Sequence, residues 1–272
     1  LFGGSSCHSQ VIASSNACNN KSFRDSLIRK YVDNGAEKLP HTYNNPSWDK
    51  YLDSILSICP EIAEAYQLKA VPAIKNGEYE KAYKLDIKAA QLDSALFLPY
   101  LGFLKCIFTK DYNGAIIDFN ESNRILPGGA EMDHSFYFYL GLCYLELHQL
   151  PEADKNLHMD ISLQKALRPS GDVHFNSMLY LGIIKIERHQ MDSAIIFFKD
   201  GLRMYKELPE ANYYLALSYK QLSQMDSAKK YFNIARQSVA DGYSMNEDNQ
   251  FYVNYPYQIT EHEIVEQLAS LE

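Results

Sequence analysis

The five residues Gln190–Ala194, QMDSA, recur unchanged at Gln224–Ala228, an interval of 34 residues. A short copy at that distance reads as a structural repeat, and its surroundings keep the same register. Around the second copy stand Leu215, Ala216 and Tyr219, then Ala228, Phe232 and Ala235. Thirty-four residues earlier stand Leu181, Gly182, Lys185, Ala194, Phe198 and Gly201. Ala-x3-aromatic spacing places both residues on one face of a helix, so each interval predicts two helices with the turn near the pentapeptide.

The pattern extends upstream. Tyr137, Leu140, Gly141, Tyr144, Ala153 and Leu157 form one unit. Leu98, Leu101, Gly102, Ala115, Phe119, Ser122 and Pro127 form another, with one extra residue in its turn. Tyr66, Ala70, Gly77, Tyr79, Ala82 and Ala89 fit before it, and Trp48, Leu52 and Ile55 close a first unit that opens on FRDSLIRKYVDNG. These residues resemble the tetratricopeptide repeat (TPR), W-x2-L-G-x2-Y…A-x3-F…P. The small residue lets the two helices of a unit approach, and the aromatics fill the space between units. The resemblance implies an all-α, right-handed α-solenoid of about six helix pairs. Residues 1–21 read as a signal remnant and tether, 22–242 as the solenoid, and 243–272 as a Tyr-rich extension with a capping helix. Thr260 followed by Glu263 is a capping box for that last helix.

Composition narrows the function. The chain of 272 residues is 46% hydrophobic, enough for a sizeable core, with a net charge of −8. With a pI near 5.5, it offers no basic stripe to neutralise phosphates, which argues against nucleic-acid binding. No apolar run reaches the ~18–20 residues of a membrane span. The stretch LFGGSSC, Leu1–Cys7, is followed by polar residues and resembles the end of a bacterial lipoprotein signal peptide. That resemblance implies a lipidated Cys7, a membrane contact through the lipid alone and a place in the bacterial cell envelope, periplasmic or at the outer membrane; the alternative is cytoplasmic. Cys18, Cys59, Cys106 and Cys143 complete the cysteines. They show no CxxC and no metal-ligand spacing, and their number alone assigns no redox compartment.

The sequence carries no catalytic constellation. His262-Glu263 lacks the second histidine of a zinc helix, and no GxSxG, P-loop or GxGxxG occurs. His158-Met159-Asp160 reads as an exposed helix edge. No cofactor, metal or enzymatic activity is expected; a hydrolase on a helical scaffold is the minor alternative. A binding scaffold for a protein or peptide segment is the expected function, with a structural envelope subunit that uses its convex face as the runner-up.

The family's ligand groove is lined by the first helix of each unit. Transferring its positions selects Phe103, Phe138, Leu142, Leu179, Ile183, Tyr213 and Leu217 as partner-binding residues, with Leu96, Pro99, Asn176 and Glu210 beside them. Glu146 and Glu187 fall at the margin, and Lys220 is the sole cation of the set. So few donors argue against the clamp by which related proteins capture acidic chaperone tails. An apolar face of this size is expected to be covered, and Phe251, Tyr252, Tyr255 and Tyr257 are the candidate cover, as an inhibitor or as a permanent cap. Two departures from the pattern carry expectations of their own. Asp86 sits where an aromatic is usual and is expected to face water while Leu85 turns inward. Lys105 and Lys185 replace a tyrosine and are expected to lay their stems on apolar surface with the ammonium in water.

Overall fold

The computed structural model describes residues 17–168, 170–245 and 255–271. Cys7, Phe251 and Tyr252 lie outside them. In chain order the described residues form thirteen α-helices and one β-hairpin of two-residue strands. The chain divides into two compact units, the first ending at Leu104 and the second beginning at Lys105.

In the first unit, Asn20 caps α1 (Lys21–Ile28) by accepting the N–H of Phe23, and the helix continues into a π turn, Arg29–Asp33. Two short 3-10 turns lead to α2 (Trp48–Ile58), then α3 (Ala63–Lys75), α4 (Tyr79–Leu92) and α5 (Ser94–Leu104). α3 and α4 form a hairpin, with α2 on one side and α5 on the other. Trp48, Leu52, Ile55 and Ala65 make the core of its N-terminal part, and Trp48 Nε1 donates to the Leu68 carbonyl at 3.1 Å. Cys18 and Cys59 are joined by a disulfide with their Cα atoms 5.7 Å apart. The bridge fixes Cys18 at the end of α2, inside the stretch the sequence assigns to a tether.

The second unit opens with a π turn, Lys105–Thr109, that leads to α6 (Tyr112–Ile125). The Gly102–Ala115 interval is one residue longer than Gly141–Ala153 or Gly182–Ala194, and a π turn accommodates one residue too many without breaking the helix. Antiparallel strands Ala130–Glu131 and His134–Ser135 then precede three hairpins. These are α7 (Phe136–Glu146) with α8 (Leu150–Leu167), α9 (Phe175–Glu187) with α10 (Met191–Met204), and α11 (Pro209–Gln221) with α12 (Met225–Ala240). Each hairpin packs on the next, and α13 (Glu261–Ala269) packs on α12. The capping box of α13 is present, Glu263 accepting the N–H of Thr260 at 3.0 Å. The longer interval between the α7 and α9 pairs is taken up both by the 18 residues of α8 and by the loop after it.

The repeat is visible in backbone geometry as well. Gly77, Lys110, His148, His189 and Ser223 each stand five residues before the alanine of a second helix, and each has φ between 54° and 75°. The small residue of the first helix does what the pattern requires: a Cβ on Gly182 would strike the Phe198 ring, and one on Gly141 would lie 2.7 Å from Leu157 Cγ.

Three expectations are corrected. Asp86 is buried, 1% exposed, while Leu85 is only half-buried. Its place in α4 matches that of Phe119, Phe198 and Phe232 in their helices, so the interhelical packing carries it inward regardless of its charge. Lys105 does not reach water: its ammonium is buried and pairs with Asp118 at 2.6 Å, while Lys185, less deeply placed, pairs with Asp154 at 2.7 Å. Asp160 is not on an exposed edge. It holds the small-residue place of the second helix and is wholly buried, accepting from Ser135 and Ser177, both at 2.7 Å, and from Gln164. Burial still holds its carboxyl above the usual range.

Candidate functional site

The first helices α7, α9 and α11 each carry a tyrosine two residues before their small residue: Tyr139, Tyr180 and Tyr214. In sequence these are Tyr-Leu-Gly, Tyr-Leu-Gly and Tyr-Leu-Ala, and the first unit repeats Tyr-Leu-Gly at Tyr100. Because the interval between units returns each residue to the same helical face, the three hydroxyls of the second unit recur on one face.

A short strap of chain, Tyr255–Ile259, lies against that face. Tyr180 donates its hydroxyl to the Pro256 carbonyl at 2.9 Å, and Tyr214 donates to the Tyr257 carbonyl at 2.9 Å. The Tyr139 hydroxyl donates to the Glu131 carbonyl at 3.1 Å and also meets the Tyr255 side chain. Glu210, at the start of α11, is 1% exposed. Its carboxylate accepts the backbone N–H groups of Met245 and Ile259, and burial pushes its pKa up to about 7. Tyr255, Pro256 and Ile259 are buried. Tyr257 stays half-exposed, reaching Glu187 with its hydroxyl and lying in the field of Glu146, and burial raises its pKa.

The strap contacts are mostly to main chain. Two tyrosine hydroxyls satisfy successive carbonyls and one carboxylate satisfies two N–H groups, so the face serves the polar backbone of a turn segment, in which Tyr257 has a φ of 58°, that could not otherwise be buried without cost. Two acceptors on the same helices remain unmet: Glu210 Oε2 and Asn176 Oδ1 have no hydrogen-bond partner.

The residues chosen from the sequence divide into three groups. Phe138, Leu142, Leu179 and Ile183 are almost fully buried and pack between helices. Phe138, for example, stacks on His134 at 3.8 Å and meets Tyr180 edge-on at 5.6 Å. Tyr213 and Leu217 lie beneath Ile259 and Ile264 of the C-terminal segment. Phe103 is buried in the first unit beside Tyr100. The residues selected from the sequence are thus mostly buried, four of them between helices and two beneath the C-terminal segment that the sequence offered as the cover. Of the two carboxylates placed at the margin, Glu187 meets the Tyr257 hydroxyl and Glu146 lies within its field. Lys220 is engaged by the last helix, donating to Gln267 at 2.9 Å and Ser270 at 2.7 Å.

His134 is buried among aromatic rings, and half-buried His174 caps α9 by accepting the Asn176 N–H. His134 meets His174 edge-on at 4.7 Å, and burial lowers their pKa values to about 3 and about 4. Among the described residues no group of three His, Cys, Asp or Glu could hold a metal ion, and no helix is long and apolar enough to cross a membrane.

Similarity to solved structures decides the architecture. The chain superposes on Pseudomonas aeruginosa PilF with a TM-score of 0.62 and 18% identity, covering 81% of this chain and 95% of that one. This is the tetratricopeptide-repeat fold. A chain of the APC/C hetero-tetramer Cut9–Hcn1 matches with a TM-score of 0.57 and 14% identity, over 85% of this chain and 43% of that one. YrrB, described as a TPR protein with an unusual peptide-binding site, matches with a TM-score of 0.50 and 19% identity, over 70% and 93%. No family model and no curated protein sequence matches the chain.

Proposed function

We propose that this protein is a non-catalytic scaffold that holds a protein or peptide segment against the first helices of its TPR hairpins. The observation that carries the reading is the set of hydrogen bonds from Tyr180 and Tyr214 to consecutive main-chain carbonyls, with Glu210 taking two N–H groups. A face that satisfies the backbone of one segment in this way is chemically suited to another. The peptide-binding site of YrrB on the same fold supports the reading by analogy.

We further propose that the scaffold works in the bacterial cell envelope, lipidated at Cys7. The Cys18–Cys59 disulfide supports that compartment, since such bridges persist where the environment is oxidising. The second reading is a structural subunit that works through its outer helices. It is favoured by Ile117, Leu167, Ile196 and Met204, exposed apolar side chains on second helices.

Photo-crosslinking in the native organism separates the two. A crosslinking residue at Glu187, on the first-helix side, should capture the partner, and one at Ile196 should not. Capture from Ile196 alone would replace the peptide-scaffold reading with the outer-face one.

A further inference from the structure

We propose that Tyr255–Ile259 is a resident occupant of the peptide site, displaced in trans by a segment of the same chemistry. That segment is one that makes the same turn, with a proline between two aromatic residues and an aliphatic residue two positions after the second. This rests on the peptide-scaffold reading and deepens it by naming the ligand pattern and the competitor.

Each element of the pattern has a counterpart in the structure. Tyr255 and Ile259 are the buried anchors, 9% and 8% exposed. Pro256 fixes φ near −65° and Tyr257 takes a left-handed φ of 58°, a turn course closed by the Gln258 N–H on the Tyr255 carbonyl at 3.3 Å, and the Pro256 carbonyl is the acceptor for Tyr180. Tyr257 offers its carbonyl to Tyr214 and its hydroxyl to Glu187. The bonds from Tyr180 and Tyr214 are to main-chain atoms, which any segment of that course presents equally.

The strap is also an incomplete ligand. The spare oxygen of Glu210, the carboxylate that takes the Ile259 N–H, is buried without a donor, and a desolvated acceptor left unpaired is costly. An incoming segment that supplies one further N–H gains what the strap does not provide. The strap holds its place because it is tethered: an intramolecular occupant acts at an effective concentration in the millimolar range. The wild-type protein should therefore bind a free copy of the strap weakly, and weakening the tethered copy should open the site.

The test uses the full chain and a fluorescent heptapeptide, NYPYQIT, copied from residues 254–260. Fluorescence anisotropy compares wild type, a strap-weakened double variant (Tyr255→Ala with Ile259→Ala), and that variant with Tyr180→Phe and Tyr214→Phe added. The strap-weakened protein should bind the peptide at least 10-fold more tightly than wild type, and the two Tyr→Phe changes should remove about 10-fold of the gain. Equal or absent binding in folded wild type and variant would overturn the proposal and make the strap a permanent cap. Should the variant not fold, hydrogen exchange on wild type decides. Amides of Met245 and Ile259 that exchange well before those of α9 and α11 support the proposal, and equal protection overturns it. A partner captured at Glu187 together with a negative peptide result leaves the scaffold reading intact and removes the strap exchange alone.

Discussion

Replacing Asp86 with leucine should stabilise the first unit, and the gain should grow with pH. Asp86 is buried with neither carboxylate oxygen hydrogen-bonded, and desolvation raises its pKa from 3.8 to about 8. Because the folded value lies above the unfolded one, folding takes up a proton between those limits. The protonated group's contribution is fully present below pH 4 and is lost as the pH rises toward 8. At about 1.4 kcal/mol per pH unit, the stability difference between pH 5 and pH 8.5 is on the order of 4 kcal/mol. Leucine should erase that dependence, since it matches the apolar character of the aromatics at the same place in α6, α10 and α12. The single tryptophan of the chain, Trp48, is 2% exposed in the first-unit core, so its fluorescence reports that unit during urea unfolding. Wild-type midpoints should fall from pH 5 to 8.5 while those of Asp86→Leu stay nearly level. A parallel fall in both proteins, or a variant less stable than wild type at pH 8.5, would refute the argument.

Other outcomes follow from packing and covalent structure. Gly182→Val should cost about 1–3 kcal/mol, because its side chain would enter the Phe198 ring, measured as a lower melting temperature with the helical circular-dichroism spectrum retained below it. Cys18→Ser with Cys59→Ser should destabilise the first unit by about 4 kcal/mol, the chain-entropy value for a bridge across 41 residues, read from Trp48 fluorescence. Cells expressing the full-length gene with labelled palmitate should mark the wild type and leave Cys7→Ser unlabelled. Equal label in both would remove the lipid anchor.

The repeat was legible because it is periodic. QMDSA fixes the register of α10 and α12, and the small residues Gly102, Gly141, Gly182 and Ala216 then locate the first helices. What escaped was whatever departs from the average unit. Asp86 and Asp160 are carboxylates at places where neighbouring helices close in, and a local preference for water cannot turn a side chain that the packing points inward. Lys105 hides its ammonium because Asp118, one residue short of the helix's aromatic place, arrives opposite it, a pairing invisible until both helices are placed. The Cys18–Cys59 bridge could not be chosen from spacing, since five cysteines allow many pairings. The strap's tyrosines could have been found: Tyr-Leu-Gly or Tyr-Leu-Ala recurs in four units, but the family's ligand positions lie one residue before that tyrosine and three after it. The strap itself was anticipated through Tyr255 and Tyr257.

The π turn at Lys105–Thr109 bears on how such a chain tolerates change. One residue added to a regular helix rotates everything beyond it by about 100°, enough to turn an apolar face toward water. Here the widened turn takes up the extra residue, and Ala115 and Phe119 beyond it are buried as their counterparts Ala194 and Phe198 are. Repeat length is thus elastic at this point: an insertion or deletion can be absorbed in the helix, leaving the following hairpins and the tyrosine face they carry in register. A duplicated unit that gained a residue there would have remained foldable from its first appearance, with no compensating change downstream.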